Sequence, residues 1–294
     1  MNRRSFLGKI TTATAGTVLS HNVSWATAQH RIENIGLQLY TVRDPMSQDL
    51  DGTLAKVAAI GYSEVEGPLL KLSPQETKAA LARHGLACPS THRDYPEMRD
   101  GWEQAVEDCH VIGVKYVNIP WIPGSIRNGP DGIKRVADDF NRAGEISKKA
   151  GIQLAFHDHW IDFVPTPSGK LFYDLLLERC DPNLVKMELD ICWSTVGGID
   201  AVQYFQRYPG RFPLLHVKDL IKIPSPTVAQ GSKIDGDDVV PLMTEVGNGV
   251  IDWKRIFAHA KQGGVKHYFV EQDKPADPIA SARSSYEYLK KLRF

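Results

Sequence analysis

Net charge is the first thing this chain does without: 35 Lys and Arg balance 35 Asp and Glu. A polyanion is held by a basic surface, so nothing in that balance favours nucleic acid as a partner. Long apolar runs are also missing, and none reaches the roughly 20 residues a membrane-spanning helix needs. Cysteine is scarce. Cys88, Cys109, Cys180 and Cys192 form no CxxC pair and show no zinc-finger spacing. Three of them lie in or beside apolar patterns, where a free thiol packs as a small core residue. Buried thiols are therefore expected, although an oxidising destination would permit a disulfide. The Gly-rich loop of a dinucleotide-binding sheet is absent as well, because Gln38-Leu39-Tyr40-Thr41 stands after the first strand instead.

The amino terminus reads as a segment outside the fold. Asn2-Arg3-Arg4-Ser5-Phe6-Leu7-Gly8-Lys9 leads into a mildly apolar stretch, Ile10 to Leu19, and then into Ala26-Thr27-Ala28. A basic start, an apolar middle and a small-x-small end describe a cleavable signal peptide. The paired arginines followed by Phe-Leu resemble the twin-arginine export signal. Residues 1–28 are thus expected to be removed, leaving 29–294 as an exported, periplasmic domain with no membrane attachment after cleavage.

From residue 34 onward strands and helices alternate. Strands are expected at Ile35–Leu39, up to Val65, and at Leu86–Ser90, Val114–Ile119, Gln153–His157, Val185–Asp190, Leu214–Val217 and Tyr268–Glu271. Helices are expected at Leu50–Ile60, from the capping-box sequence Ser73-Pro74-Gln75-Glu76 to Gly85, and at Trp102–Ile112 and Ile133–Ala150. The remaining four are Gly169–Leu177, Ile199–Tyr208, Trp253–Gln262 and Pro278–Leu292. Eight β/α pairs in about 260 residues fit one α/β domain, a single (β/α)8 TIM barrel. One connection is too long for the pattern. Residues 221–250 follow the seventh strand, so they are expected to overhang the barrel mouth as a lid or a substrate wall.

Four strand ends in the second half carry metal-binding side chains: Phe156-His157-Asp158-His159, Glu188-Leu189-Asp190, His216-Val217-Lys218-Asp219 and Glu271-Gln272-Asp273. Residues two apart in a strand share a face. His157 therefore pairs with His159, Glu188 with Asp190, and His216 with Lys218, while Asp158 and Asp219 point away toward helix amides or loops. Neighbouring strands would bring His157, Asp190, His216 and Glu271 together at the mouth. Imidazole mixed with carboxylate suits one divalent ion among Mn2+, Zn2+, Co2+ and Fe2+.

These segments, with Val246-Gly247-Asn248-Gly249-Val250-Ile251-Asp252-Trp253, resemble the sugar phosphate isomerase/epimerase family of xylose isomerase-like TIM barrels. The resemblance runs from about Ile35 to the C-terminus. It implies a metal site built from a strand-five carboxylate, a strand-six Asp, a strand-seven His and a strand-eight Glu. Asp190, His216 and Glu271 match the last three. His157 stands where many members carry Glu, so Glu188 is a second candidate for the missing carboxylate. A His-x-His strand five looks like the inosose dehydratases and the lyase-like enzymes of 3-keto-glycosides.

The resemblance implies proton abstraction beside the carbonyl of a keto-sugar. Glu271 would be ligand and base, His159 a second acid/base, and Lys218 a stabiliser of developing negative charge. Gln38, Glu66, His92 and Asn118 sit where similar proteins contact substrate, and Trp121, Trp160 and Trp193 are placed to stack on a sugar ring. No Arg cluster announces a phosphate site, so a non-phosphorylated sugar is expected. The leading expectation is a metal-dependent isomerase or epimerase; the alternative is a lyase or dehydratase of a keto-glycoside or inosose. An endonuclease IV-type nuclease would need a basic face, and a non-catalytic sugar-binding barrel would bind without metal. A homo-oligomer or a partner oxidoreductase that makes the keto-sugar is compatible with the resemblance.

Overall fold

Eight parallel strands close on one another in the order β1-β8-β7-β6-β5-β4-β3-β2. They are β1 (Gly36–Gln38), β2 (Glu64–Pro68), β3 (Ala87–His92), β4 (Tyr116–Ile119), β5 (Gln153–His157), β6 (Val185–Asp190), β7 (Leu214–Val217) and β8 (His267–Val270). The computed structural model describes residues 30–68, 71–128 and 131–294; the expected signal peptide, 1–28, lies outside them. None of the described helices is long and apolar enough to cross a membrane.

The two-residue period of the strands sets the site. Ala155, Leu214 and Phe269 are buried together inside the barrel, against Tyr116. Two residues further along the same faces come His157, His216, Glu271 and Asn118, so an apolar interior layer is capped by a polar one. Register keeps the polar layer level: His157 lies opposite Glu188, and Asp190 opposite His216. Gly36 leaves room for the Phe269 ring, which a Cβ at that position would approach to 2.5 Å.

Helix boundaries follow local chemistry. Ser73 and Glu76 form the capping box that starts Pro74–Arg83, and Trp102–Ile112 is helical as expected. The helix expected from Gly169 begins only at Phe172, because Gly169 has φ +81° and the chain first turns there. The helix expected from Ile199 starts at Ala201, where Asp200 accepts from the Val202 amide. One short helix, Ile191–Gly197, had no signal in the apolar periodicity; Asp190 caps it by accepting from Trp193 N, and Gly198 ends it at φ +88°.

The long segment after β7 is structured. Asp219–Leu220 pairs antiparallel with Met243–Thr244, and Gly236–Val239 makes one helical turn between them. Its Val228, Val239 and Met243 are buried with Cys192, Trp193, Val196 and Leu220. The segment is a packed wall standing beside the mouth. All four cysteines are free, three of them buried.

Candidate metal centre

The carboxyl ends of the strands carry a cluster of buried ionisable side chains. Glu66, Glu188, Asp190 and His216 are wholly buried, and His157, Lys218 and Glu271 nearly so. Isolated charges in such a place would cost several kcal/mol each, so they persist only as a mutually neutralising set. His216 is the hub. Its Nε2 lies 2.6 Å from Glu66 Oε2 and 3.3 Å from Glu188 Oε2, and its Nδ1 lies 2.8 Å from Glu271 Oε2.

Two potential ligand sets share that imidazole. Asp190, His216 and Glu271 form one, and His92, His157, Glu188 and His216 the other, each with its donor atoms within 4.8 Å of one another. Of the five candidate ligands expected from sequence, Asp190, His216 and Glu271 fall in one set, while His157 and Glu188 group with His92 and the shared His216. His92, expected as a substrate contact, reaches Glu188 Oε2 at 2.9 Å and Glu66 Oε2 at 3.2 Å. No spacing rule links position 92 to position 188; only barrel closure does.

The donor set fits a divalent ion. Glu188 Oε1 is buried with no hydrogen-bond partner, and Asp190 Oδ2 and His157 Nδ1 make no contact of hydrogen-bond geometry although Lys218 Nζ and Glu188 Oε2 each stand 3.2 Å away, which is costly for a native interior unless something else satisfies them. Burial, reinforced by the neighbouring His216, holds the His157 imidazole well below its usual range, so it is neutral, the form that ligates. Burial and the adjacent Glu66 push Glu188 up to about 7. For His216, burial opposes the charge, but Glu188 and Glu271 outweigh it and raise the imidazole well above its ordinary value. In the chain alone a proton thus stands where a cation would.

Lys218 is clamped by three carboxylates, at 2.7 Å from Glu271, 2.8 Å from Asp273 and 3.2 Å from Asp190. Burial disfavours its charge, yet Asp190, Asp273 and Glu271 hold the ammonium well above the usual lysine range. In turn burial would raise Glu271, but Lys218 and His216 overcome it and keep the carboxylate ionised. Asp273 has no role expected from the sequence; its position two residues beyond Glu271, on a shared face, is the signal available.

Above this floor opens a cleft of about 580 Å³. Gln38, His92, His157, His159, Lys218, Glu271, Trp121, Trp160 and Trp193 all line it. His159 carries a buried Nδ1 without a partner, and burial with the nearby Lys218 charge lowers it to about 3. Glu66 and Asn118 lie beneath the cleft. Glu66 accepts from Gln38 Nε2 at 2.8 Å and from Asn118 Nδ2 at 3.2 Å, so these two polar residues orient the floor. Asp158 and Asp219 face outward: Asp158 takes the Asp190 amide at 3.1 Å, and Asp219 takes loop amides.

Comparison with known proteins bears on the family and the fold. The family model described as xylose isomerase-like TIM barrel matches residues 54–292. The chain is 27% identical to an inosose dehydratase of Geobacillus kaustophilus over 82% of this chain and 87% of that one. A second inosose dehydratase, from Clostridium perfringens, is 28% identical over 53% of this chain and 54% of its own, so there the likeness spans about half of each protein. Among solved structures, a sugar phosphate isomerase/epimerase of Parabacteroides distasonis is 27% identical and superposes with a TM-score of 0.70, covering 92% of this chain and 97% of that one.

Proposed function

From the premise that this chain belongs to the xylose isomerase-like TIM barrel family, we propose that it is a divalent-metal-dependent enzyme that isomerises or epimerises a keto-sugar. The observation that carries this reading is the Lys218–Glu271 pair, 2.7 Å apart at the floor of a sugar-sized cleft. Asp190, His216 and Glu271 would hold the ion, with His157 or Glu188 completing the set. When bound, a divalent ion polarises the carbonyl and neighbouring hydroxyl oxygens of the substrate.

Glu271 is ionised, so it takes the proton beside the carbonyl. That C–H bond breaks, its electron pair forms a C=C bond as the carbonyl π pair moves onto oxygen, and an enediolate results. Lys218 places a positive charge beside Glu271 and the developing anion. For isomerisation the protonated Glu271 returns its proton to the adjacent carbon while the hydroxyl proton passes to the former carbonyl oxygen; for epimerisation His159, neutral and lining the cleft, gives its N–H proton to the opposite face and regains one from Glu271 through solvent. The product is an isomer or an epimer, and no atom is gained or lost.

A second reading is favoured by the imidazoles of β5. Elimination needs one base and one acid, so it does not require a second carboxylate where His157 stands. Glu271 would take the same proton, and the electron pair would form a C=C bond as the neighbouring C–O bond breaks. His159 would give its N–H proton to the departing hydroxyl as water, and the proton held on Glu271 would pass back to His159 through solvent. The likeness to inosose dehydratase supports that outcome.

Incubation of the metal-loaded chain with ketoses and keto-glucosides in D2O, followed by NMR, tests both. Metal-dependent deuterium uptake that disappears in Glu271→Gln supports proton abstraction, and an enone absorbing in the ultraviolet would mark elimination. Full metal occupancy with neither exchange nor enone formation on any ketose or keto-glucoside would refute both readings. The leader-like residues 2–28 support export by the twin-arginine route; cell fractionation that left the full-length chain in the cytoplasm would refute it.

A further inference from the structure

We propose that the floor of the cleft holds a second divalent cation, at a site of its own made by His92, His157, Glu188 and Nε2 of His216. The two ring nitrogens of His216 are distinct and face opposite ways. Its Nδ1 looks toward Glu271 at 2.8 Å and Asp190 at 3.7 Å, the ligands given above to the first ion. Its Nε2 looks toward Glu188 Oε2 at 3.3 Å. One imidazole cannot turn both nitrogens to a single ion. The set on the Nε2 side is therefore a separate site, and His216 bridges the two, its ring protons leaving to solvent as the ions bind. This goes beyond the reaction proposed above and rests on it only for the total of two ions.

The spacing is that of a coordination shell. Glu188 Oε2 lies 2.9 Å from His92 Nε2, 3.2 Å from His157 Nδ1 and 3.3 Å from His216 Nε2. Ligand atoms about 2.0–2.1 Å from a tetrahedral ion stand roughly 3.3 Å apart, so the shell needs only a slight outward shift of His92. The three rings surround that carboxylate with centres 4.3, 5.1 and 5.6 Å apart. His157 Nδ1 is buried and makes no contact of hydrogen-bond geometry; an ion would satisfy it. Glu66 Oε2 also approaches His216 Nε2 at 2.6 Å and His92 Nε2 at 3.2 Å, and it keeps Gln38 and Asn118 as donors when an ion takes the imidazoles. Three imidazoles with one carboxylate suit Zn2+ or Co2+, whereas the carboxylate-rich set across the bridge suits Mn2+ as well. His92 and His157 line the cleft, which gives an ion its way in.

Charge balance asks for the same number. Among the described residues, Glu66, Glu188, Asp190, Glu271 and Asp273 gather on the floor around a single ammonium, that of Lys218. Arg93 is neutralised apart from them by Asp108 at 3.1 Å and Glu97 at 3.4 Å. Ligating imidazoles are neutral, so His92, His157 and His216 add no charge once they hold metal. One dication then leaves two carboxylates uncompensated, which burial makes costly. Two dications balance the floor.

Counting metal on the full chain tests this without any turnover. The chain is stripped with a chelator, loaded with Zn2+ and freed of excess, and bound metal per chain is read by mass spectrometry. Two ions are expected in the parent chain. One is expected in His92→Ala, whose residue belongs to the second set alone, and one in Asp190→Asn, each variant checked for folding by circular dichroism. Two ions still held by His92→Ala would overturn the second site. So would a single ion in the parent that Asp190→Asn removes and His92→Ala keeps, and that result would uphold the ligands named for the reaction. A single ion lost in His92→Ala but kept in Asp190→Asn would uphold this site and sink the ligand set named for the reaction; no bound ion would sink both. The parent chain loaded with Co2+ needs no variant: two ions sharing one imidazole are magnetically coupled, and two uncoupled ions in electron paramagnetic resonance would overturn the bridge.

Discussion

The indole Nε1 of Trp253 donates to Asp219 Oδ2 at 2.8 Å, tying the start of a helix to the end of β7 across the whole wall segment. The same oxygen accepts the Gly247 amide at 2.9 Å, and Oδ1 accepts Leu220 N at 2.9 Å and Ile251 N at 3.2 Å. Four donors thus converge on one buried carboxylate, which has about four acceptor sites to offer. Gly249 must pass close by, since a Cβ there would come within 2.1 Å of Asp219 Oδ1. The Val246–Trp253 stretch therefore serves to anchor the wall rather than to touch substrate.

Asp219→Ala should accordingly cost more than a surface change. Buried donors left unpaired cost roughly 1–3 kcal/mol each, so a loss of at least about 3 kcal/mol in unfolding free energy is expected. Asp219→Asn should recover little, because its NH2 group would face donors. Urea denaturation measures both; an unchanged midpoint for Asp219→Ala would mean that the wall is held elsewhere.

Lys218 gives a prediction that depends on metal. Replacing it with Met leaves Asp190, Glu271 and Asp273 without their shared cation. Breaking a buried pair on one side costs about 3–5 kcal/mol. A bound divalent ion would neutralise part of the same charge, so the drop in Tm should be larger in chelator-treated protein than in metal-loaded protein. Equal drops in both would show that the ion does not share these carboxylates.

How much of this was readable beforehand follows from the range of each interaction. The eight β/α units were legible because apolar periodicity and caps are local, and β5, β6 and β7 begin and end where expected. The inward-facing strand-end side chains were legible because alternation alone sets their faces. What escaped depends on closure. His92 joins Glu188 across 96 residues, and Glu66 joins His216 across 150, pairings that no window along the chain contains. The helix at Ile191–Gly197 escaped for another reason: it is buried on nearly every side, so it shows no amphipathic stripe.

Proton release should accompany metal uptake. Burial opposes charge on His92, but Glu66 and Glu188 outweigh it and raise the imidazole to about 9; His216 is raised as well. Both therefore carry protons at neutral pH in the chain alone, and a cation binding at those nitrogens must displace them. Apparent Mn2+ or Zn2+ affinity should climb as pH rises from about 6 to 9. Titration calorimetry in two buffers of different ionisation heat should report roughly one or more protons released per ion. A flat affinity across that window would place the ion away from His92 and His216.

The wall itself can be tested at Gly236. A Cβ there would lie 2.7 Å and 2.8 Å from two carbons of the Trp160 ring. Gly236 opens a helical turn capped by Asp235, so Gly236→Ala gains up to about 1 kcal/mol of helix propensity. Overpacking costs typically about 1–3 kcal/mol, and the ring has little room to retreat, with Trp193 at 5.1 Å and Trp121 at 6.1 Å. The clash should win. We expect a modest fall in Tm, a change in tryptophan fluorescence, and weaker sugar binding as Trp160 pushes the wall or its neighbours aside. A variant with unchanged fluorescence and a higher Tm would mean that helix propensity dominates and that the wall does not seat on Trp160.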